Sequence, residues 1–169
     1  ALPDLAPQSL SCPTTETFTD EEITLQWVIN NLRGPGYGQS FVLLIELVNS
    51  DNETVNTMYS SESASDNPSV SNTMSYNASS VDDYFAFFTI PTETTSGDYR
   101  CKLIIDSNSE ISEEDESNNI HFSEPFYIQN EEELWANDVD RDGFNSTDAG
   151  DGKVDDCPNN CLLYTSPSP

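Results

Sequence analysis

The sequence predicts an all-β fold, a two-sheet antiparallel sandwich of about seven strands. Three observations predict it. Apolar residues alternate with polar ones at period two in short runs. Glycine, proline, serine and asparagine clusters punctuate those runs at sandwich-like spacing. No stretch shows a helical period of any length.

A first strand is expected through Gln8–Cys12. In Ile23–Asn31, Ile23, Leu25, Trp27 and Ile29 alternate with Thr24, Gln26 and Asn30, which gives one buried face with Trp27 at the core centre. "RGPGYG" (Arg33–Gly38) is a compact turn. Ser40–Asn49 is apolar on both faces, as in a central strand. Thr54–Ser60 carries a weaker strand pattern, and Ser60–Ser80 reads as a long exposed connection. Tyr84–Ile90 and Asp98–Asp106 are strands, with a turn at Ser96–Asp98 before the second. Ile120–Gln129 is the last strand, and Pro125 inside it marks an edge or a bulge because proline has no N–H to give a ladder.

The 169 residues suffice for one core and a small appendage. Thirty-one acids against five bases give a formal net charge of −26, which repels nucleic acid and anionic lipid. An aromatic content of 10% argues against general disorder. The longest apolar run, Phe41–Ile45, is too short to cross a bilayer, so no direct membrane insertion is expected. Four cysteines and three sequons, at Asn52, Asn77 and Asn145, suit an oxidising secretory route with N-linked glycans. An N-terminal Ala in place of Met is what removal of a signal peptide leaves. Cys12 and Cys101 fall on strands that bury neighbouring apolar residues. A bridge between them would stabilise by roughly 4 kcal/mol in the chain-entropy model. Cys157 and Cys161 can close a small loop. Zinc is a poor alternative for four cysteines so spaced and the lone His121.

The segment Asn137–Cys161 holds seven aspartates, three glycines and two cysteines in twenty-five residues. Either a cation neutralises it or it stays solvated. Asp138, Asp140 and Asp142 stand at alternate positions before Gly143, so three carboxylates can surround one hard cation, and the carbonyl of Phe144 can add an oxygen. An EF-hand would place Glu where Ala149 stands, so the hand is incomplete. All-oxygen donors without thiolate or imidazole favour calcium.

Two resemblances bear on the chain. "PDL" at Pro3–Leu5, "EEITLQWVINNLRGPG" at Glu21–Gly36 and the ending "GDYRCKLIID…EEDESNNIHFSEPFYIQ" (Gly97–Gln129) resemble the CARDB domain, a cell-adhesion-related immunoglobulin-like module, over about residues 2–129. Leu32-Arg33 before Gly34 and the two cysteines depart from the family pattern. The resemblance implies a spacer or adhesion module in a surface protein. Asp151-Gly152-Lys153-Val154-Asp155-Asp156-Cys157-Pro158, after the first aspartate cluster, resembles a thrombospondin type 3 calcium loop over about 138–161. It implies Asp148, Asp151, Asp155 and Asp156 as further ligands, with Asn145–Gly150 an insertion. Within "EEDESNN" the expected role of Asp and Asn, above all Asn118 and Asn119, is to satisfy backbone N–H groups. A second cation site using Asp106, Glu113 or Asp115 is the alternative. Three units follow: a sandwich over 1–129, an acidic calcium-ordered segment over 130–161, and a tail over 162–169, either a non-native scar or a Ser/Pro-rich stalk.

No nucleophile motif accompanies His121, so catalysis is not expected. A carbohydrate- or protein-binding module would use Tyr37, Tyr59 and Tyr76, which stand in loop-like contexts. A secreted structural protein would instead assemble as a homo-oligomer or filament. It would donate Ala1–Ser11 to a neighbour or dock Asp138–Cys161 on the next copy. That extracellular, calcium-binding, self-assembling role is the favoured expectation, with a monomeric adhesion or sugar-binding module as the alternative.

Overall fold

The structure, a computed structural model, describes residues 2–34, 41–61 and 84–136. Among these residues, nine strands form two facing sheets. One has three strands in the order β1 (Leu5–Ser11), β3 (Glu22–Asn31) and β6 (Tyr84–Thr89). The other runs β2 (Thr17–Phe18), β9 (Phe126–Gln129), β7 (Gly97–Ile104), β4 (Leu44–Asn49) and β5 (Thr54–Ser60), with β8 (Ile120–Phe122) also paired to β7. Every pairing is antiparallel except β2 with β9. The expected immunoglobulin-like sandwich is the observed fold.

The alternation in β3 sets the core. Ile23, Leu25, Trp27 and Ile29 are buried, and the intervening Thr24 and Gln26 are exposed. Ile45 and Leu47 of β4, Tyr99, Cys101 and Leu103 of β7, and Phe126 and Ile128 of β9 meet them from the opposite sheet. Trp27 is fully buried and packs at 4.8 Å, centroid to centroid, on the tilted ring of Tyr59. Tyr59 therefore lies on β5 against the core tryptophan and is no loop platform for a sugar.

Three details differ from the sequence expectation. The run Ile120–Gln129 is two strands, because Pro125 between them has no N–H for the ladder. Residues 41–43 precede β4 as irregular chain, although Phe41 and Leu43 are buried. A short helix α1 (Glu131–Ala136) follows β9, started by Asn130, whose Oδ1 accepts from the N–H groups of Glu132 and Glu133. Six residues are too few to display a helical period.

Cys12 and Cys101 are joined as a disulfide, with Cα atoms 6.5 Å apart and 89 residues of separation. The bridge ties the end of β1 to the centre of β7, so it links the two sheets.

Candidate metal centre

The loop after β7 is built by carboxylates. At Asp106 the backbone turns into a left-handed conformation, φ +48°, which asparagine and aspartate tolerate better than most residues. The Asp106 carboxylate then holds the turn, accepting from the N–H of Glu110 at 2.8 Å and of Ile111 at 2.9 Å. Glu116 accepts from the N–H of Glu113 at 3.0 Å. Asp115 caps a single 3-10 turn over Glu116–Asn118 by accepting from the Ser117 N–H at 2.9 Å.

The two asparagines do the reverse of what the sequence suggests. Asn118 donates its Nδ2 to Asp4 at 2.7 Å, and Asn119 donates its Nδ2 to Glu113 at 2.9 Å. Acids satisfy the backbone here, and the amides supply donors to the acids. In so acidic a loop N–H groups are the scarce partner, which explains the exchange of roles.

Glu113 is the unusual residue. It is only 7% exposed, yet it is a glutamate. One oxygen accepts from the N–H of Leu5 and the other from Asn119. Burial pushes its pKa up to about 7, against the pull of those two hydrogen bonds and with the charges of Glu116 and Asp106 adding to the rise. The same corner anchors the start of the chain. Pro3 O accepts from the Glu114 N–H at 2.9 Å, Asp4 O from the Leu32 N–H at 2.7 Å, and the Asp4 N–H donates to Asn31 at 3.1 Å. Gly34 closes the corner at φ +73°, where a Cβ would overlap the Leu2 carbonyl. "PDL" and "EEDESNN", over a hundred residues apart, are thus two halves of one polar joint.

Carboxylate oxygens of Asp106, Glu113 and Glu116 lie within 4.8 Å of one another. At an effective dielectric near 20, two such charges repel by on the order of 3 kcal/mol. A divalent cation would reverse the sign of that balance. Each oxygen that accepts one N–H keeps a second lone pair for a metal. The side-chain oxygen of Asn119, on the amide that serves Glu113, is buried and has no hydrogen-bond partner among the described residues. This all-oxygen donor set fits a hard cation such as calcium. Of the alternative site named from sequence, Asp106 and Glu113 come together, and Glu116 takes the third place that Asp115 was expected to fill. One signal for Glu113 was available: in "ISE", Ile111 and Glu113 share the buried side, with exposed Ser112 between them.

Asn52 is exposed on the β4–β5 turn at φ +61°, and its Oδ1 accepts from Arg100. His121 sits half-buried on β8 opposite Leu103. The aspartates 138, 140, 142, 148, 151, 155 and 156, Phe144, Asn77, Asn145, Cys157, Cys161, Tyr37 and Tyr76 lie outside the described residues.

A profile of the CARDB family matches residues 2–123. The CARDB domain of a Pyrococcus furiosus protein, crystallised in complex with di-metal ions, is similar at a TM-score of 0.52 and 14% identity, over 76% of this chain and 94% of that one. A solution structure of the same Pyrococcus furiosus domain gives 0.47 and 17%, over 76% and 96%. A Methanosarcina acetivorans domain ascribed to a cell surface protein gives 0.42 and 22%, over 73% and 90%. Comparison with curated proteins finds no match. With the family profile spanning most of the chain and the sandwich in place, the chain belongs to the CARDB family.

Proposed function

We propose that the chain is an extracellular adhesion or spacer module whose N-terminal corner is clamped by a divalent cation, calcium by preference, held by Asp106, Glu113 and Glu116. The observation that carries this is the convergence of three carboxylates within 4.8 Å around a buried glutamate. The Pyrococcus furiosus domain crystallised with di-metal ions supports it by analogy. The cation would fasten the loop after β7 to the chain start, because Glu113 also holds the Leu5 N–H. No catalytic role is assigned.

The same proposal includes a second calcium site over Asp138–Asp156, glycans at Asn52, Asn77 and Asn145, and secretion. It also includes head-to-tail assembly through the terminal segments. Because β1 already pairs with β3 in its own chain, donation of residues 1–11 would be a strand exchange. A monomeric adhesion module is the alternative.

Calorimetric titration and thermal melts in calcium and in chelator test the clamp. A cation that binds only the folded state raises Tm. The expected result is a calcium-dependent rise that disappears in Asp106→Asn/Glu113→Gln and survives in Asp138→Asn/Asp140→Asn/Asp142→Asn. A sandwich whose Tm ignores calcium, or responds equally in the Asp106/Glu113 variant, overturns it.

A further inference from the structure

The three-stranded sheet ends, among the described residues, in a strand without the usual protections. Among the described residues, β6 pairs only with β3. Its sequence, YFAFFT, has no charge and no proline, the devices that normally blunt a sheet edge. The direction of its free groups can be read from Ile90. The Ile90 N–H donates to Glu21 O at 3.0 Å, and Ile90 O accepts from the Asp20 N–H at 2.8 Å, both on the β3 side. In an antiparallel ladder both groups of a residue face the same way and alternate along the strand. Phe88, Ala86 and Tyr84 therefore face β3, and the N–H and C=O of Phe85, Phe87 and Thr89 face outward.

The side chains of those same residues stand on the open face of the sheet. Phe85 is 56% and Phe87 58% exposed, and the two rings meet edge-to-face at 5.7 Å. Beside them in register, Thr24 and Gln26 of β3 are uncharged, and Glu22 enters only at the end, opposite Thr89. In a chain of net charge −26 this is a neutral apolar strip. A basic partner would be drawn to the acidic surfaces instead. A second, equally acidic copy can approach closely only where charge is missing.

We propose that β6 is a self-association edge: two copies pair β6 antiparallel about a two-fold axis at Phe87, extending the three-stranded sheet into a continuous six-stranded one. Phe87 faces Phe87 of the second copy, and Phe85 faces Thr89. The three outward residues of each copy exchange about six backbone hydrogen bonds. The four phenylalanines form one aromatic cluster across the seam. The contact is isologous, so it closes as a dimer and is distinct from any head-to-tail contact of the terminal segments.

Sedimentation velocity of the full chain at low and high salt, with residue-resolved hydrogen exchange, tests this. A dimer is expected that strengthens with salt, since screening removes the repulsion between two acidic chains. The amides of Phe85, Phe87 and Thr89 gain protection only in the dimer. Phe87→Lys weakens association at least tenfold while leaving Tm unchanged at concentrations too dilute for the dimer, and Phe87→Thr weakens it less. A monomer at every concentration overturns the proposal, as does a dimer indifferent to Phe87→Lys. Protection of those three amides already in the monomer also overturns it, because a segment of the same chain then covers the edge.

Discussion

The centre of the sandwich and its N-terminal corner are both buried, but they are held by opposite means. Around Trp27 the contacts are apolar and come from both sheets. Around Glu113 they are hydrogen bonds between acids, amides and backbone, joining segments 108 and 114 residues apart. The first region is stable because water is excluded from it. The second gathers like charges that its hydrogen bonds relieve in part and that protons or a cation would relieve further. With the clamp proposed above, stability and responsiveness would fall to different parts of one small domain.

Trp27→Ala separates the two regions most forcefully. Removing a fully buried tryptophan leaves a cavity, and a loss of about 3–5 kcal/mol is expected by urea unfolding, the same in calcium and in chelator. A loss that depends strongly on calcium would show that the centre and the corner are one unit.

The corner should instead respond to pH. The Glu113 carboxyl has a folded pKa of about 7 against an ordinary value of 4.5. Below 4.5 both folded and unfolded chains carry the proton. Between 4.5 and 7 the unfolded chain releases it while the folded chain keeps it, so the folded state loses ground as pH rises through about 7. In chelator, wild type should lose up to about 3 kcal/mol relative to Glu113→Gln over that window. Calcium should cancel the loss near neutral pH and fail to do so at pH 5, where protons compete for the site. A difference between the two proteins that is flat from pH 4 to 8 would remove Glu113 from this role.

A smaller effect is expected from Asn118→Ala, which takes from buried Asp4 its amide donor. About 1–2 kcal/mol should be lost in thermal or urea unfolding. A neutral substitution would mean that Arg33, 3.8 Å from the other Asp4 oxygen, is enough to hold the joint.

The same contrast explains what was legible in the sequence. Period-two burial is a local property, so β3, β6 and β7 can be read residue by residue, and Trp27 marks the centre correctly. The polar corner depends on pairs far apart in the chain. No local pattern shows that Leu5 needs an acceptor at Glu113, or that Asp4 needs Asn118. Asp106 and Glu113 could be named as acids near a turn, but Glu116 could not be told from Asp115. The choice rests on which of two adjacent carboxylates caps the 3-10 turn and which points back to the loop. The long strand expected over Ile120–Gln129 illustrates a third case. The proline signal was visible as an edge or a bulge, but its outcome, two separate strands that both pair with β7, was not.

The Cys12–Cys101 bridge has a mechanical consequence. Tension carried along the polypeptide would cross from β1 to β7 through the sulfurs, between Cα atoms 6.5 Å apart. The 89 residues of separation, roughly 300 Å of extended contour, lie off the load path. Most of the core, Trp27 and the β6 edge included, sits inside that bypassed loop. A tether built from such modules could not lengthen by that bypassed contour under load, whatever the segments outside the bridge do.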